Sequence, residues 1–207
     1  MDFVRPVEAV IPGTQGRVLA VLAETTAELN LRTVARLSNV SPAQASRVLP
    51  GLVELGLVER REVPPASLFR LNPQHVVAKT LQELSRSREN ALDLIRDATD
   101  EMQPQPASVV VFGSFARGEA DHYSDIDALI LRPTGVAEDD EGWASSMEQW
   151  RTHVFAITGN PVEVLEADQA EAATKLAGEQ QVWQDIARDG IVIRGVTLEE
   201  LRGEAHG

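Results

Sequence analysis

The stretch of residues 109–131 constrains the fold of this chain most, because two apolar runs flank a short polar segment. Residues 109–112 are apolar and rich in β-branched side chains, and Gly113 ends that run; Ile126–Leu131 is the second run. Runs of this length and composition predict strands that are buried on both faces. Residues 115–119 between them can make about one to two helical turns. The stretch therefore predicts a strand, a glycine turn, a short helix and a second strand.

The glycine turn has the composition of a phosphate-binding turn. Gly113 lets the backbone approach a phosphate closely, and the free N–H groups and positive dipole end of the following helix favour an anion. Ser114 adds a hydroxyl donor, and Arg117 adds a guanidinium that stays charged at any relevant pH. The turn predicts binding of a nucleotide through its phosphates.

Two carboxylates, Asp125 and Asp127, stand at the start of the second strand. Because side chains alternate along a strand, both leave the same face. They repel each other unless a cation lies between them, and ligation by oxygen alone suits Mg²⁺ or Mn²⁺. A surface turn with incidental acids explains the pair equally well when it is taken alone. The neighbouring glycine turn and the two buried strands favour the metal site.

At these residues the chain resembles the nucleotidyltransferases of the DNA polymerase β superfamily, and most closely their minimal branch. The family pattern is Gly-Ser, then Arg-Gly, then Ser-Asp-x-Asp, and here it is formed by Gly113, Ser114, Arg117, Gly118, Ser124, Asp125 and Asp127. The resemblance extends from about residue 106 to about residue 195. It implies that the two aspartates hold divalent ions, that an NTP, with ATP expected, is bound through Gly113, Ser114, Arg117 and Ser124, and that pyrophosphate is expelled.

The family also uses a third carboxylate on a later strand, and Glu163 is the candidate. It alternates with Val162 and Val164, so its side chain is expected on the open face with Asp125 and Asp127. Many minimal members have an aspartate here. The resemblance implies that Glu163 binds a second metal ion or acts as general base toward the acceptor hydroxyl. The alternative is a solvated residue of an edge strand; Glu166 has the opposite parity and is the weaker candidate.

The composition of the chain bounds its class. Its 207 residues suit two modest domains, and the absence of cysteine excludes disulfides and thiolate chemistry. No apolar stretch approaches the length of a membrane span, and the N-terminus has no signal pattern, so a cytoplasmic protein without membrane contact is expected. The net charge is −13, but residues 1–90 hold 11 basic and 9 acidic side chains whereas residues 91–207 hold 8 and 23. The first half is therefore slightly basic, whereas the second half is strongly acidic.

The first half resembles the winged helix-turn-helix fold of small bacterial regulators. Helical patterns cover residues 16–24 and 31–37, Ser41 and Pro42 begin a third helix in which Pro50 predicts a kink or break, and two strand-like runs surround Pro64 and Pro65. The resemblance implies DNA binding by Gln44, Ser46 and Arg47 on the third helix and by Arg60, Arg61 and Arg70 on or beside the wing. Because the basic excess of this half is small, a protein-binding scaffold is the alternative to a DNA-binding domain. If the domain does bind DNA, a homodimer on two half-sites would compensate for the weak electrostatic attraction of a single domain.

Together these patterns predict an α+β chain in three parts. A winged helix-turn-helix domain (1–73) is joined by a long connecting helix and linker (74–105) to a nucleotidyltransferase domain with a small mixed sheet (106–207). The predicted function is metal-dependent transfer of NMP, with AMP expected, to a protein or other hydroxyl acceptor, in an antitoxin-like or regulatory protein that has a toxin as a possible partner. The alternative is a transcriptional regulator whose second half only senses a nucleotide.

Overall fold

The computed structural model describes residues 1–204 and has an α+β architecture. The chain folds into two compact units. The first unit comprises Asp2 and residues 4–87, and the second comprises Met1, Phe3 and the residues from Arg88 onward. The division falls between Ser87 and Arg88, inside the segment that was expected to form a separate connection.

The first unit contains five helices and a three-stranded antiparallel sheet of order β1-β3-β2 among its described residues. Its elements are α1 (Pro6–Val10), α2 (Thr14–Ala23), β1 (Leu29–Asn30), α3 (Leu31–Leu37), α4 (Pro42–Glu54), β2 (Val58–Val63), β3 (Ala66–Leu71) and α5 (Ala78–Ser85). The core includes Val18, Leu22, Val34 and Leu49, which come from three different helices. The predicted three helices and hairpin are thereby confirmed as a winged helix-turn-helix, with short α1 and β1 added.

The third helix of this motif, α4, begins at a capping box and does not break at Pro50. The Ser41 hydroxyl accepts from the N–H of Gln44, and the Gln44 side chain accepts from the N–H of Ser41. The helix continues through Pro50 to Glu54, so the predicted break is wrong. Proline removes one backbone hydrogen bond, the one to the carbonyl of Ser46. Both residues are exposed, so water can satisfy that carbonyl.

The expected single connecting helix is two helices. The first, α5, ends at Ser85, and α6 (Ser87–Asp100) begins after Arg86. The Ser87 hydroxyl donates to the carbonyl of Leu84 at 2.5 Å, and the N–H of Arg86 donates to the carbonyl of Glu83 at 3.2 Å. The tight turn these bonds form ends the first helix, which sequence periodicity cannot detect because the apolar spacing continues across it.

The second unit is a four-stranded mixed sheet with helices on both faces. Its elements are α6, β4 (Ser108–Phe112), α7 (Gly113–Ala116), β5 (Ile126–Leu131), α8 (Glu141–Thr158), β6 (Val162–Ala167), α9 (Gln169–Leu176), α10 (Gln181–Asp189), β7 (Ile191–Gly195) and α11 (Leu198–Glu204). The strand order is β6-β5-β4-β7; β5 runs parallel to β6 and antiparallel to β4, which is antiparallel to β7. This confirms the predicted small mixed sheet.

Successive side chains of the central strands point to opposite faces of the sheet and belong to two separate hydrophobic cores. Val109, Val111 and Ile126 belong to the core that includes residues of α6 and α8. Val110 and Leu129 belong to the core that includes residues of α9, α10 and α11. Asp127 shares parity with Leu129, so the acidic residue extends the second face at the N-terminal end of β5.

The helix after Gly113 is shorter and earlier than expected. It covers Gly113–Ala116 rather than residues 115–119. A helix of four residues contributes little dipole, so binding of a phosphate there depends on Gly113 and Ser114 themselves. No helix within residues 1–204 is long and apolar enough to cross a membrane.

Candidate functional site

The glycine turn and the second aspartate lie against each other. Gly113 has a φ of +70°, and Phe112 just before it pairs with Asp127 across β4 and β5. A Cβ atom added to Gly113 would lie 2.2 Å from Oδ2 of Asp127, which is closer than any real contact of that kind. Only glycine therefore satisfies both the left-handed backbone and the adjacent carboxylate. The structure joins two features that the sequence separates by fourteen positions.

The third acid, Glu163, is the direct neighbour of Asp127 on the next strand. The parallel register of β5 and β6 pairs these two residues, and Glu163 is exposed whereas Val162 beside it is buried. Paired residues of adjacent strands have their side chains on the same face. The predicted parity of Glu163 thus agrees with the register.

The acids of this face repel one another. Partial burial is the largest cause that raises the pKa of Asp127 above its usual range, and the charges of Asp125 and Glu163 raise it further, whereas Arg117 lowers it. A carboxyl that resists ionisation beside two other acids is in a field that favours a cation. The charges of Asp125 and Glu163 thus reach Asp127, which agrees with the place of Glu163 beside it in the sheet.

The donor set of this site fits Mg²⁺ or Mn²⁺ only in part. Among the described residues, no group of three or more histidine, aspartate or glutamate side chains is arranged to hold a metal ion. Mg²⁺, however, is commonly held by one or two carboxylates together with substrate phosphates and waters, not by a complete protein cage. Asp125, just before β5, and Asp127, within it, supply two such carboxylates, and they lie close enough for the charge of Asp125 to raise the pKa of Asp127. The residues present therefore fit an ion that arrives with a nucleotide.

Two segments of the chain match known domain families. Residues 92–189 match the family described as nucleotidyltransferase domain. The second unit is a nucleotidyltransferase domain. Residues 16–62 match the IclR helix-turn-helix domain, which belongs to a class of DNA-binding domains. The family assignment thus agrees with both resemblances seen in the sequence.

Solved structures with some likeness to the chain come from toxin-antitoxin systems. A toxin-antitoxin structure with AMP-PNP shares 15% identity at a TM-score of 0.38, over 56% of this chain and 81% of that one. A mutant of the toxin-antitoxin MntA-HpeT shares 15% identity at a TM-score of 0.35, over 57% and 81%. Likenesses this small decide neither fold nor function. No curated protein has a significant sequence match to the chain.

Two other residues of the motif in the nucleotidyltransferase domain are engaged by neighbouring acids. Arg117 donates to Glu119 at 2.8 Å and to Asp189 at the end of α10 at 3.3 Å. The Ser124 hydroxyl accepts from the N–H of Asp121 at 3.0 Å and lies 3.1 Å from its carboxylate. The guanidinium is thus shared with two acids, and the hydroxyl shapes the turn before Asp125. Their predicted contacts with nucleotide remain predictions.

Asn160 is a residue of the site that sequence reasoning missed. It is fully buried, and its Nδ2 donates to the carbonyls of Asp121 at 2.9 Å and Ser124 at 2.8 Å. It follows Gly159, which ends α8 with a φ of +70°, and it precedes the strand that carries Glu163. One amide therefore ties the loop before Asp125 to the start of β6. The only local signal was a Gly-Asn pair at a helix end.

Arg88 is the second residue that was missed. Its Nε donates to the carbonyl of Phe115 at 2.8 Å, and its Nη2 donates to the carbonyl of Ala116. These carbonyls are at the end of α7, where a helix has no partners of its own. Phe115 itself is fully buried and stacks edge-on against Phe3 at 4.8 Å. The glycine turn at Gly113 is therefore held in place by contacts with residues that are distant in sequence.

Glu166 has a structural role instead of a catalytic one. It accepts from Arg132 at 2.6 Å and from the indole N–H of Trp143, which is buried, at 2.9 Å. Glu163 has no such partners within residues 1–204 and lines a surface depression of about 270 Å³ with Phe155 and Pro161. Of the two glutamates on β6, only Glu163 is free to act on a ligand.

In the first unit, each predicted wing arginine is paired with an acid. Arg60 pairs with Glu62 at 2.5 Å, Arg70 with Glu59 at 2.6 Å, and Arg61 with Glu28, to which its Nε donates at 2.9 Å; Arg60 also donates to Ser67. Exposed pairs of this kind are weak and can exchange partners. While these ion pairs are intact, the wing presents little net positive charge.

The helices of the helix-turn-helix motif present free arginines. Arg47 on α4 and Arg32 and Arg36 on α3 are exposed, and their side chains have no hydrogen bond or ion pair with any described residue. Arg32 and Arg36 were missed, although their spacing of four places them on one helical face. Ser46 is also exposed, and the side-chain oxygen of Gln44 is engaged in the capping box.

Proposed function

We propose that the chain is a cytoplasmic, metal-dependent nucleotidyltransferase that moves AMP from ATP to a hydroxyl of an acceptor protein. The observation that carries this proposal is the contact between Gly113 and the Asp127 carboxylate, with Glu163 next to it in register. A glycine turn that lies against one carboxylate of a neighbouring pair is suited to a metal-bound triphosphate. The third acid on the same face completes the set that the family resemblance implies.

Asp125 and Asp127 would hold Mg²⁺ or Mn²⁺ together with the nucleotide's phosphates. When bound there, such ions would neutralise the charge that develops on the oxygens of the reacting phosphate. Gly113 and Ser114 bind the β- and γ-phosphates through backbone N–H groups and a hydroxyl, and Arg117 adds positive charge at the edge of the turn. These groups position the α-phosphorus for attack.

Glu163 is the proposed general base. It is exposed, it lies beside Asp127, and it lines the depression with Phe155 and Pro161. An acceptor hydroxyl that enters from this side can give its proton to the carboxylate as it attacks. A toxin partner is the kind of acceptor that the minimal branch suggests.

The first unit supplies DNA binding in this proposal. Arg47, with Ser46 and Gln44, faces the DNA from α4, and Arg32 and Arg36 contact phosphates from α3. The wing residues Arg60, Arg61 and Arg70 contribute only when phosphate displaces their acid partners. A homodimer on two half-sites supplies the affinity that one weakly basic domain lacks. DNA binding then brings the transferase to a regulatory site or to its acceptor.

One experiment tests the transferase. The purified protein is incubated with Mg²⁺, NTPs labelled on the α-phosphate and a lysate of its host. We expect one or a few lysate proteins to gain label. Asp127→Asn should abolish labelling, whereas Asp139→Asn, which makes the same chemical change in an exposed loop away from the site, should leave it unchanged. Absence of transfer, together with DNA binding that depends on nucleotide, would instead support a nucleotide-sensing regulator.

A further inference from the structure

The loop before the carboxylates presents one large side chain to solvent. Tyr123 is the only tyrosine of the chain, and its side chain is 83% exposed. Tyrosine is usually at least partly buried in a folded domain. The Tyr123 ring contacts the neighbouring His122 ring, at a centroid distance of 3.8 Å. Its hydroxyl has no hydrogen-bond partner within residues 1–204.

The exposure of Tyr123 does not come from a loose loop. The N–H of Tyr123 donates to the Asp121 carboxylate at 2.9 Å, and the N–H of Ser124 donates to the Asp121 carbonyl at 3.2 Å. Asn160, buried beneath, binds the carbonyls on either side of the tyrosine, those of Asp121 and Ser124. Four hydrogen bonds thus hold the backbone so that the aromatic side chain projects into solvent two residues before Asp125.

Other hydroxyls of this segment are already used. The Ser124 hydroxyl is bound to Asp121, and Ser114 lies in the phosphate turn. Tyr123 is therefore the hydroxyl next to the site that is both accessible and unengaged, and an accessible hydroxyl is what a nucleotidyltransferase requires of its acceptor.

We propose that Tyr123 is a self-modification site, and that its hydroxyl accepts a nucleotidyl group from the NTP bound at Asp125 and Asp127. The inference rests on the proposed function. The phenolic oxygen forms a bond to the α-phosphorus, and the bond from that phosphorus to the bridging oxygen breaks. Pyrophosphate leaves, and the phenolic proton passes to the carboxylate of Glu163 in the site that holds the nucleotide. No oxidant or further reactant is needed.

The full chain, purified and incubated with ATP and Mg²⁺ alone, tests this inference by intact mass and by peptide mapping. The expected result is a gain of one adenylyl group on the peptide that contains Tyr123. Tyr123→Phe keeps the ring and its contact with His122 but removes the hydroxyl. This variant should gain no mass and should still label lysate proteins at the wild-type rate.

This experiment distinguishes failure of self-modification at Tyr123 from failure of the proposed transferase function. If lysate proteins are labelled while Tyr123 of the wild type stays unmodified, or if the self-label maps to a serine or threonine, self-modification at Tyr123 is refuted and the transferase stands. If neither the lysate nor the chain is labelled, the transferase function is refuted, and self-modification with it.

Discussion

Replacing Gly113 with alanine should separate the stability of the fold from the geometry of the site. The left-handed backbone at Gly113, with a φ of +70°, costs roughly 1–2 kcal/mol for a residue with a side chain. The new methyl group would lie 2.2 Å from Oδ2 of Asp127, so the carboxylate must turn away by about 1 Å to regain van der Waals distance. Because the rest of β5 is buried, the backbone cannot shift, and the Asp127 carboxylate is the group that must move.

The expected effects differ in size. A loss of roughly 1–2 kcal/mol lowers the Tm of a domain of this size by about 2–8 °C. A displacement of about 1 Å at a reacting group can cost on the order of a hundredfold in rate. We therefore expect Gly113→Ala to fold, to melt a few degrees lower, and to lose about a hundredfold in kcat/KM for label transfer from the α-phosphate.

Gly135→Ala is the matched control. Gly135 has a φ of +87°, and a Cβ atom there would meet no atom within 4 Å. It has the same backbone strain without the clash, so its melting temperature should fall similarly while kcat/KM stays unchanged. If Gly113→Ala transfers label with the wild-type kcat/KM, or if both variants lose activity equally, the contact with Asp127 does not set the geometry of the site.

Three further tests concern the buried amide at Asn160, the charge of Asp127 and the arginines of the first unit. Asn160→Leu keeps a similar side-chain volume but removes two donated hydrogen bonds and the one accepted from the amino group of Met1, so it should cost about 2–3 kcal/mol in urea unfolding and at least tenfold in kcat. The pKa of Asp127 is raised in the folded protein, so its ionised form destabilises the metal-free fold. Asp127→Asn should therefore be more stable than the wild type at neutral pH. The difference in stability should shrink as the pH falls through the raised pKa and vanish below the ordinary pKa of an aspartate in the unfolded chain. A wild type that is the more stable at neutral pH would contradict this sign. The double variant Arg36→Ala with Arg47→Ala should reduce the slope of log K for DNA binding against log salt concentration by about 0.9 per lost phosphate contact. Arg61→Ala should leave that slope nearly unchanged. An equal reduction of the slope by Arg61→Ala would show that the wing binds DNA.

Local patterns predicted the elements that local physics determines. The apolar runs of β4 and β5 and the alternation around Glu163 follow from the two-residue period of strands, and the register of the sheet agrees with them. The cap at Ser41 was visible because capping chemistry acts within three residues. The spacing of the glycine turn and the two aspartates was enough to identify the domain family.

The contacts that escaped prediction join residues over long separations in sequence. Arg88 binds Phe115 across 27 positions, Asn160 binds Asp121 across 39, and Arg61 pairs with Glu28 across 33. No periodicity marks such contacts, because they exist only once the chain has folded. The continuation of α4 through Pro50 was missed for another reason, since the cost of one lost hydrogen bond depends on whether water reaches the freed carbonyl.

The central claim is that the Asp125 and Asp127 pair supports transfer of a nucleotidyl group, and parallel reactions with ATP labelled on the α- or the γ-phosphate test it most directly. We expect that label from the α-phosphate becomes covalently attached to protein acceptors, that γ-label leaves in pyrophosphate, and that Asp125→Asn eliminates attachment. Attachment of the γ-label would show phosphoryl transfer instead. Undiminished attachment of α-label with both aspartates replaced by asparagine would show that the chemistry lies elsewhere, and either result would contradict the account.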